Sequence, residues 1–264
     1  MSSPPATFAE QQPSAPEQRA QAGPSSWLAE ARDFVGAISR ATAKDAGARA
    51  ALRSGVGKRL DDVPRMHRIV APLLPGAVLH DADAQRAFYT VAALIAAYHR
   101  RDPADGGGKE DAASEDAAPV EEGTRDAGGI PAQRADRRIQ AERQRRERFG
   151  DSLGLAYAVA VAHGGRKGIR ESAAETRLNL LCKQSTAGLH RHLPAAVRQL
   201  CDRSGPPDWA RLLVDLRNWP QQRRRVARWW LQDYYRALAT ADLAAAREAD
   251  DDAPQPAAPT GPAA

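Results

Sequence analysis

Residues 208–238, DWARLLVDLRNWPQQRRRVARWWLQDYYRAL, restrict the fold more than any other part of the chain. Asp208 is placed to cap a helix on which Trp209, Leu212, Leu213, Leu216 and Trp219 share one face. After a break at Pro220, a second helix gathers Val226, Trp230, Tyr234 and Ala237 on one face, with Trp229 and Asp233 beside it. Arg224, Arg225 and Arg228 point largely the other way. Two helices with such a Trp-rich side need further helices to cover it. Taken singly, each arginine is as readily part of a solvated face as of a binding surface. Taken together, a tryptophan side backed by arginines suggests a surface that holds polyanion.

The rest of the chain supplies helices and no convincing strand. Ser25 or Ser26 is expected to cap a first helix, with Trp27, Ala31, Phe34, Val35 and Ile38 on its apolar face. A second piece covers Lys44–Ser54 and stops at Gly55 and Gly57. Asp61–Pro64 opens a third that runs to Pro75, and Asp83 starts a fourth, with Phe88, Val91, Leu94, Ile95 and Tyr98 turned inward. Further helices are expected over Asp151–His163, Ser172–Gln184 and Ser185–Arg203. Residues 133–148, QRADRRIQAERQRRER, predict a very basic helix with almost no apolar face, hence solvated or dependent on a partner. The expected fold is all-α: two small helical bundles, residues 27–101 and 133–240, joined by a disordered acidic insert over 102–132. Residues 1–26 and 241–264 read as disordered tails.

Charge separates these parts sharply. The whole chain is +5, yet residues 102–126 carry nine acids against two bases. Residues 27–101 hold twelve bases against seven acids, and residues 127–240 hold twenty-two against ten. The foldable segments are therefore strongly cationic. Their bases are mainly arginine, whose fork matches phosphate and whose plane stacks on bases, which favours nucleic acid as the partner. Cys182 and Cys201 make no disulfide framework. No signal segment opens the chain and no apolar run approaches membrane-spanning length, so a cytoplasmic protein with no membrane partner is expected.

No catalytic constellation stands out. The GGGK at 106–109 lacks the spacing, the Ser/Thr and the preceding strand of a phosphate loop. His190 and His192, two residues apart on a helix, do not share a face, and no CxxC accompanies Cys182 and Cys201, so no metal is expected. Asp202, Asp208 and Asp215 lack the grouping of a nuclease site. No cofactor is implied. The basic positions differ in kind. Arg49 and Arg53 lie one helical turn apart, with Lys58 and Arg59 just beyond, and Arg166, Lys167 and Arg170 decorate a Gly-rich loop. Arg177 and Arg191 interrupt apolar helices, and Arg217, Arg223, Arg224, Arg225 and Arg228 cover the closing pair. Cations placed by helices along a track suit contacts to a phosphate backbone. No base-reading helix or aromatic stacking sheet is apparent, so little sequence preference is expected.

These residues fall into four blocks in a familiar order. They are ARAALRSG (48–55) with DDVPRMHRIVAPLLP (61–75), AFYTVAALIAAYH (87–99), FGDSLGLAYA (149–158) with ETRLNLL (175–181), and DWARLLVDLRNW (208–219) with RVARWWLQDYY (225–235). In this the chain resembles the CasB family, the small subunit of the type I-E CRISPR Cascade complex. Thr176 stands where the family usually places the first of two arginines, and Ser54 where a second arginine often follows Leu-Arg.

The resemblance implies an all-α, non-catalytic subunit of a crRNA-guided complex acting in antiviral defence. Its implied partners are the large subunit, the backbone repeat subunit, a second copy of itself, crRNA and target DNA, with the small subunits supporting the R-loop. It points to Arg53, Arg177 and the arginines around the last helix pair as contacts, while Lys58, Arg59 and Arg191 rest on charge alone. A stand-alone helical nucleic-acid-binding or regulatory protein is the alternative, and a nuclease ranks third.

Overall fold

The computed structural model describes residues 24–98, 140, 149–162 and 168–251. The expected acidic insert, the expected basic helix at 133–148 apart from residue 140, the loop cations Arg166 and Lys167, and most of both expected tails lie outside the described residues. Every regular element among the described residues is helical. In chain order the α-helices are α1 (Pro24–Lys44), α2 (Ala46–Arg53), α3 (Pro64–Val70), α4 (Ala82–Tyr98), α5 (Leu153–Ala162), α6 (Glu171–Cys182), α7 (Thr186–Arg203) and α8 (Trp209–Asp251). Short 3₁₀ turns at Leu60–Asp62, Ala71–Leu73 and Gly76–Val78 join α2, α3 and α4.

Side-chain oxygens begin several of these helices by accepting backbone N–H groups that have no intrahelical partner. Asp45 accepts from Gly47 N at 2.7 Å, Ser185 from Gly188 N at 3.2 Å and Asp208 from Arg211 N at 3.0 Å. Several starts differ from expectation, two of them in how the first turn is capped. The first turn of α4 is capped by Asp81, which accepts from Ala84 N at 2.9 Å, so Asp83 lies inside the helix. Helix α1 begins at Pro24, ahead of Ser25 and Ser26, because proline's fixed φ and missing N–H suit a first helical position.

Helix α8 consists of two helical halves, as expected. Pro220 lies inside it, and the one non-helical backbone angle falls at Gln222 (φ −124°, ψ 25°). The two expected helices therefore meet at a kink two residues past the proline, and together they make the bent rod labelled α8. The rod runs on to Asp251, so part of the expected 241–264 tail is helical. Leu243, 63% exposed, shows that this extension is not held by burial. Ala, Leu, Arg and Glu in ATADLAAAREAD supply the helix propensity instead.

The two groups of helices expected on either side of the insert share one apolar cluster that runs from Leu28 to Tyr234. Helix α8 joins them, packing most extensively on α5 and also on α4, α1 and α6. Trp219 and Trp230, on either side of the kink, are fully buried, with ring centroids 5.2 Å apart. Trp219 donates from Nε1 to the Gln184 carbonyl at 3.3 Å, and Trp230 from Nε1 to Asp215 Oδ2 at 2.7 Å. Trp209, expected in the core, is only half-buried and lines an open cleft with Ser39, Tyr98 and Cys201.

Candidate nucleic-acid interface

The sequence-selected cations divide into three structural situations. Those at the N-terminal end lie on α2 and the turn that follows it. Arg49 is half-buried on α2, whereas Arg53, Lys58 and Arg59 are exposed. Gly57 at φ +73° lets the chain turn sharply after α2, so that Lys58 and Arg59 follow closely on Arg53.

The second situation is a groove. Arg223, Arg224 and Arg228 begin a stripe on α8 that continues to Arg236, and Lys183 at the end of α6 faces them across an open cleft of roughly 740 Å³. Its apolar lining comes from Cys182, Ala227, Leu231 and Tyr235. Among the described residues, none of the five cations has a carboxylate ion-pair partner. Arg223 approaches the Gln184 carbonyl at 3.5 Å. Arg225 leaves the stripe and stacks over Trp229, 4.6 Å from the ring centroid.

Sequence reasoning missed Lys183, Arg236 and Tyr235. Arg236 follows Arg224 and Arg228 at multiples of four, a helical signal that was available. Lys183 carried no such signal, because only the docking of α6 on α8 brings it there. Burial pushes the Cys182 thiol up to about 12, and it donates to the Ala227 carbonyl at 3.7 Å, so it is a protonated wall of the groove at neutral pH.

The third situation is the interior or another face. Arg217, expected as a contact, lies 3.4 Å from the centroid of the Trp27 ring, and its Nε is buried without a hydrogen-bond partner. Burial pushes its pKa down, while Asp81 and Glu30 push it back up. Its place is the seam between α1 and α8, because a planar, weakly hydrated guanidinium packs well on an indole face. Arg177 on α6 is half-buried, and its charge partly offsets the upward push of burial on the Tyr157 phenol. Arg191 is exposed on α7.

An internal network that the sequence did not reveal holds the start of α8. Arg211, nearly fully buried, donates from Nε to Asp215 Oδ1 at 2.9 Å and from an Nη1 to the Phe149 carbonyl at 2.8 Å. Asp208 Oδ2 accepts from Asp151 N at 3.2 Å. The segment Phe149–Asp151 is thus tied to the first turn of α8. Burial pushes the Asp215 carboxyl up, against the opposing pull of Arg211 and the Trp230 N–H. The ion pair and both hydrogen bonds keep that carboxylate committed to the fold. Among the described residues no group of three or more His, Cys, Asp or Glu side chains could hold a metal ion, and no helix is long and apolar enough to cross a membrane.

Comparison with known proteins places this arrangement among relatives. The family model for the CRISPR-associated protein Cse2 matches residues 48–235. A chain in a solved CRISPR RNA-guided surveillance complex is 33% identical, with a TM-score of 0.56 over 83% of this chain and 99% of that chain. A chain in a pre-nicking CRISPR RNA-guided surveillance complex is 34% identical, with a TM-score of 0.57 over 83% of this chain and 98% of that one. The crystal structure of M. ruber CasB, 17% identical, shares the fold with a TM-score of 0.52 over 82% of this chain and 98% of that chain. None of the curated proteins matches the chain.

Proposed function

The chain belongs to the CRISPR-associated Cse2 family, and we propose that it is the small, non-catalytic subunit of a type I-E crRNA-guided surveillance complex that supports the R-loop in target DNA. The observation that carries the DNA-binding part is the α6–α8 groove, where Lys183, Arg223, Arg224, Arg228 and Arg236 converge. Such a surface attracts phosphate oxygens and reads no bases, because arginine forks and a lysine ammonium bind the backbone wherever it passes. In a guided complex that division suffices, since pairing with the guide reads the sequence while protein contacts stabilise the opened DNA.

The N-terminal cations Arg53, Lys58 and Arg59 supply a second set of backbone contacts. Arg49, Arg177 and Arg191 contribute through their charge at longer range. The partners in this reading are the large subunit, the backbone repeat subunit, a second copy of the chain, crRNA and target DNA.

Co-expression with the genes of the other subunits and a crRNA tests the assembly. The chain is expected to co-purify with the RNA-bearing complex, and omitting it is expected to shorten the lifetime of the R-loop. Elution of the chain as a free species from an otherwise complete complex would overturn the reading.

A further inference from the structure

We propose that the α6–α8 groove takes a strand with unpaired bases and that Tyr235 provides the stacking face for one of them. The inference rests on the groove being a nucleic-acid site, as argued above. Contacts to phosphates alone need only cations, yet this groove has an apolar floor of Ala227 and Leu231 beside Tyr235. Of the other large aromatic residues of this stretch, Trp219, Trp230 and Tyr234 are fully buried and Trp209 and Trp229 half-buried outside the groove lining, whereas Tyr235 is 47% exposed among the arginines.

Its ring is already held in place. The Tyr235 hydroxyl donates to Glu175 Oε1 at 2.6 Å, and the Tyr234 ring meets it edge-on at 5.1 Å between centroids. A fixed aromatic plane loses little conformational entropy when a base settles on it. A duplex keeps its base faces inside the stack and offers nothing to this floor, while a single strand offers a base face between phosphates that the arginines grip. Stacking of this kind accepts any base, consistent with a site that reads no sequence.

The test is fluorescence anisotropy on the full chain at low salt, with a labelled oligothymidylate and an abasic sugar–phosphate strand of equal length. The wild-type chain is expected to bind the base-bearing strand about tenfold more tightly, within the range of one stacked base. Tyr235→Ala should abolish that gap and leave the abasic affinity unchanged. Tyr235→Phe should keep the gap, because the ring stacks and the hydroxyl only orients it. Equal binding of both strands by the wild type, or a gap that survives in Tyr235→Ala, would overturn the stacking proposal. Arg223→Ala/Arg224→Ala/Arg228→Ala separates this from failure of the site itself. Loss of affinity for both strands supports a groove that binds the backbone, and unchanged affinity for both would overturn the groove as a nucleic-acid site and the stacking with it.

Discussion

Gly154 on α5 lies directly against the Trp230 carbonyl on α8, so closely that a Cβ at position 154 would overlap that oxygen. The obstacle is backbone, which cannot swing aside as a side chain does. Gly154→Ala must therefore push α5 away from α8 at the centre of the core. Overpacking of this kind typically costs about 1–3 kcal/mol. A lower melting temperature with retained helicity is expected, and an unchanged melting curve would show that the two helices are not in this register.

Arg217 and Trp27 should behave as a structural pair. Each single alanine variant is expected to destabilise the chain, and the double variant by less than the sum. The coupling should be about 0.5–2 kcal/mol for a partly desolvated cation–π contact. Arg217→Ala should leave the salt dependence of DNA binding unchanged. Strict additivity in chemical denaturation would remove the pair from the fold, and a shallower salt slope would return Arg217 to the binding surface.

His190 makes stability depend on pH. It is buried between α7 and α4, with Nδ1 2.9 Å from Thr90 Oγ1 and Nε2 without a partner. Burial, helped by the charge of Arg86, pushes its pKa down from 6.5 to about 4. Between those values the unfolded chain binds a proton that the folded chain refuses. Stability is therefore lost as pH falls through this window, by up to about 3 kcal/mol. Urea denaturation from pH 7 to pH 4 should show a steeper loss for the wild type than for His190→Gln. Parallel curves would show that His190 carries no such linkage.

Replacing Arg223, Arg224 and Arg228 together by alanine should leave helicity and melting nearly unchanged, because all three are exposed and, among the described residues, unpaired with acids. DNA affinity should fall, and the log–log salt slope should become shallower by about 0.7–0.9 for each phosphate contact removed. Titration at several salt concentrations measures both. A variant that unfolds would make these arginines structural, and one that binds as before would move the interface to Arg53, Lys58 and Arg59. Trp219→Ala or Trp230→Ala should instead cost about 3–5 kcal/mol by leaving a cavity.

Most helices were legible because their signals are local. The carboxylate of Asp208 before a run of apolar residues at helical spacing, or Ser185 ahead of Leu189 and Leu193, needs only a few neighbouring residues to act. The same periodicity marked Trp219, Trp230 and Tyr234 as core, because a helix face that apolar cannot remain in water. The family blocks were legible for the same reason, since they consist largely of these faces and caps.

The fate of individual arginines was not legible in this way. Arg217 and Arg224 both follow helical logic on α8, yet one meets the Trp27 indole and the other the open groove. What separates them is the helix that lies opposite, which depends on how α1 and α6 cross α8. Lys183 enters the groove, Trp209 loses full burial, and Arg211 turns inward to Asp215 and the Phe149 carbonyl for that same reason. Local spacing settles which face of a helix is apolar. The neighbour that a polar side chain meets on the remaining faces is set by packing between segments far apart in the chain.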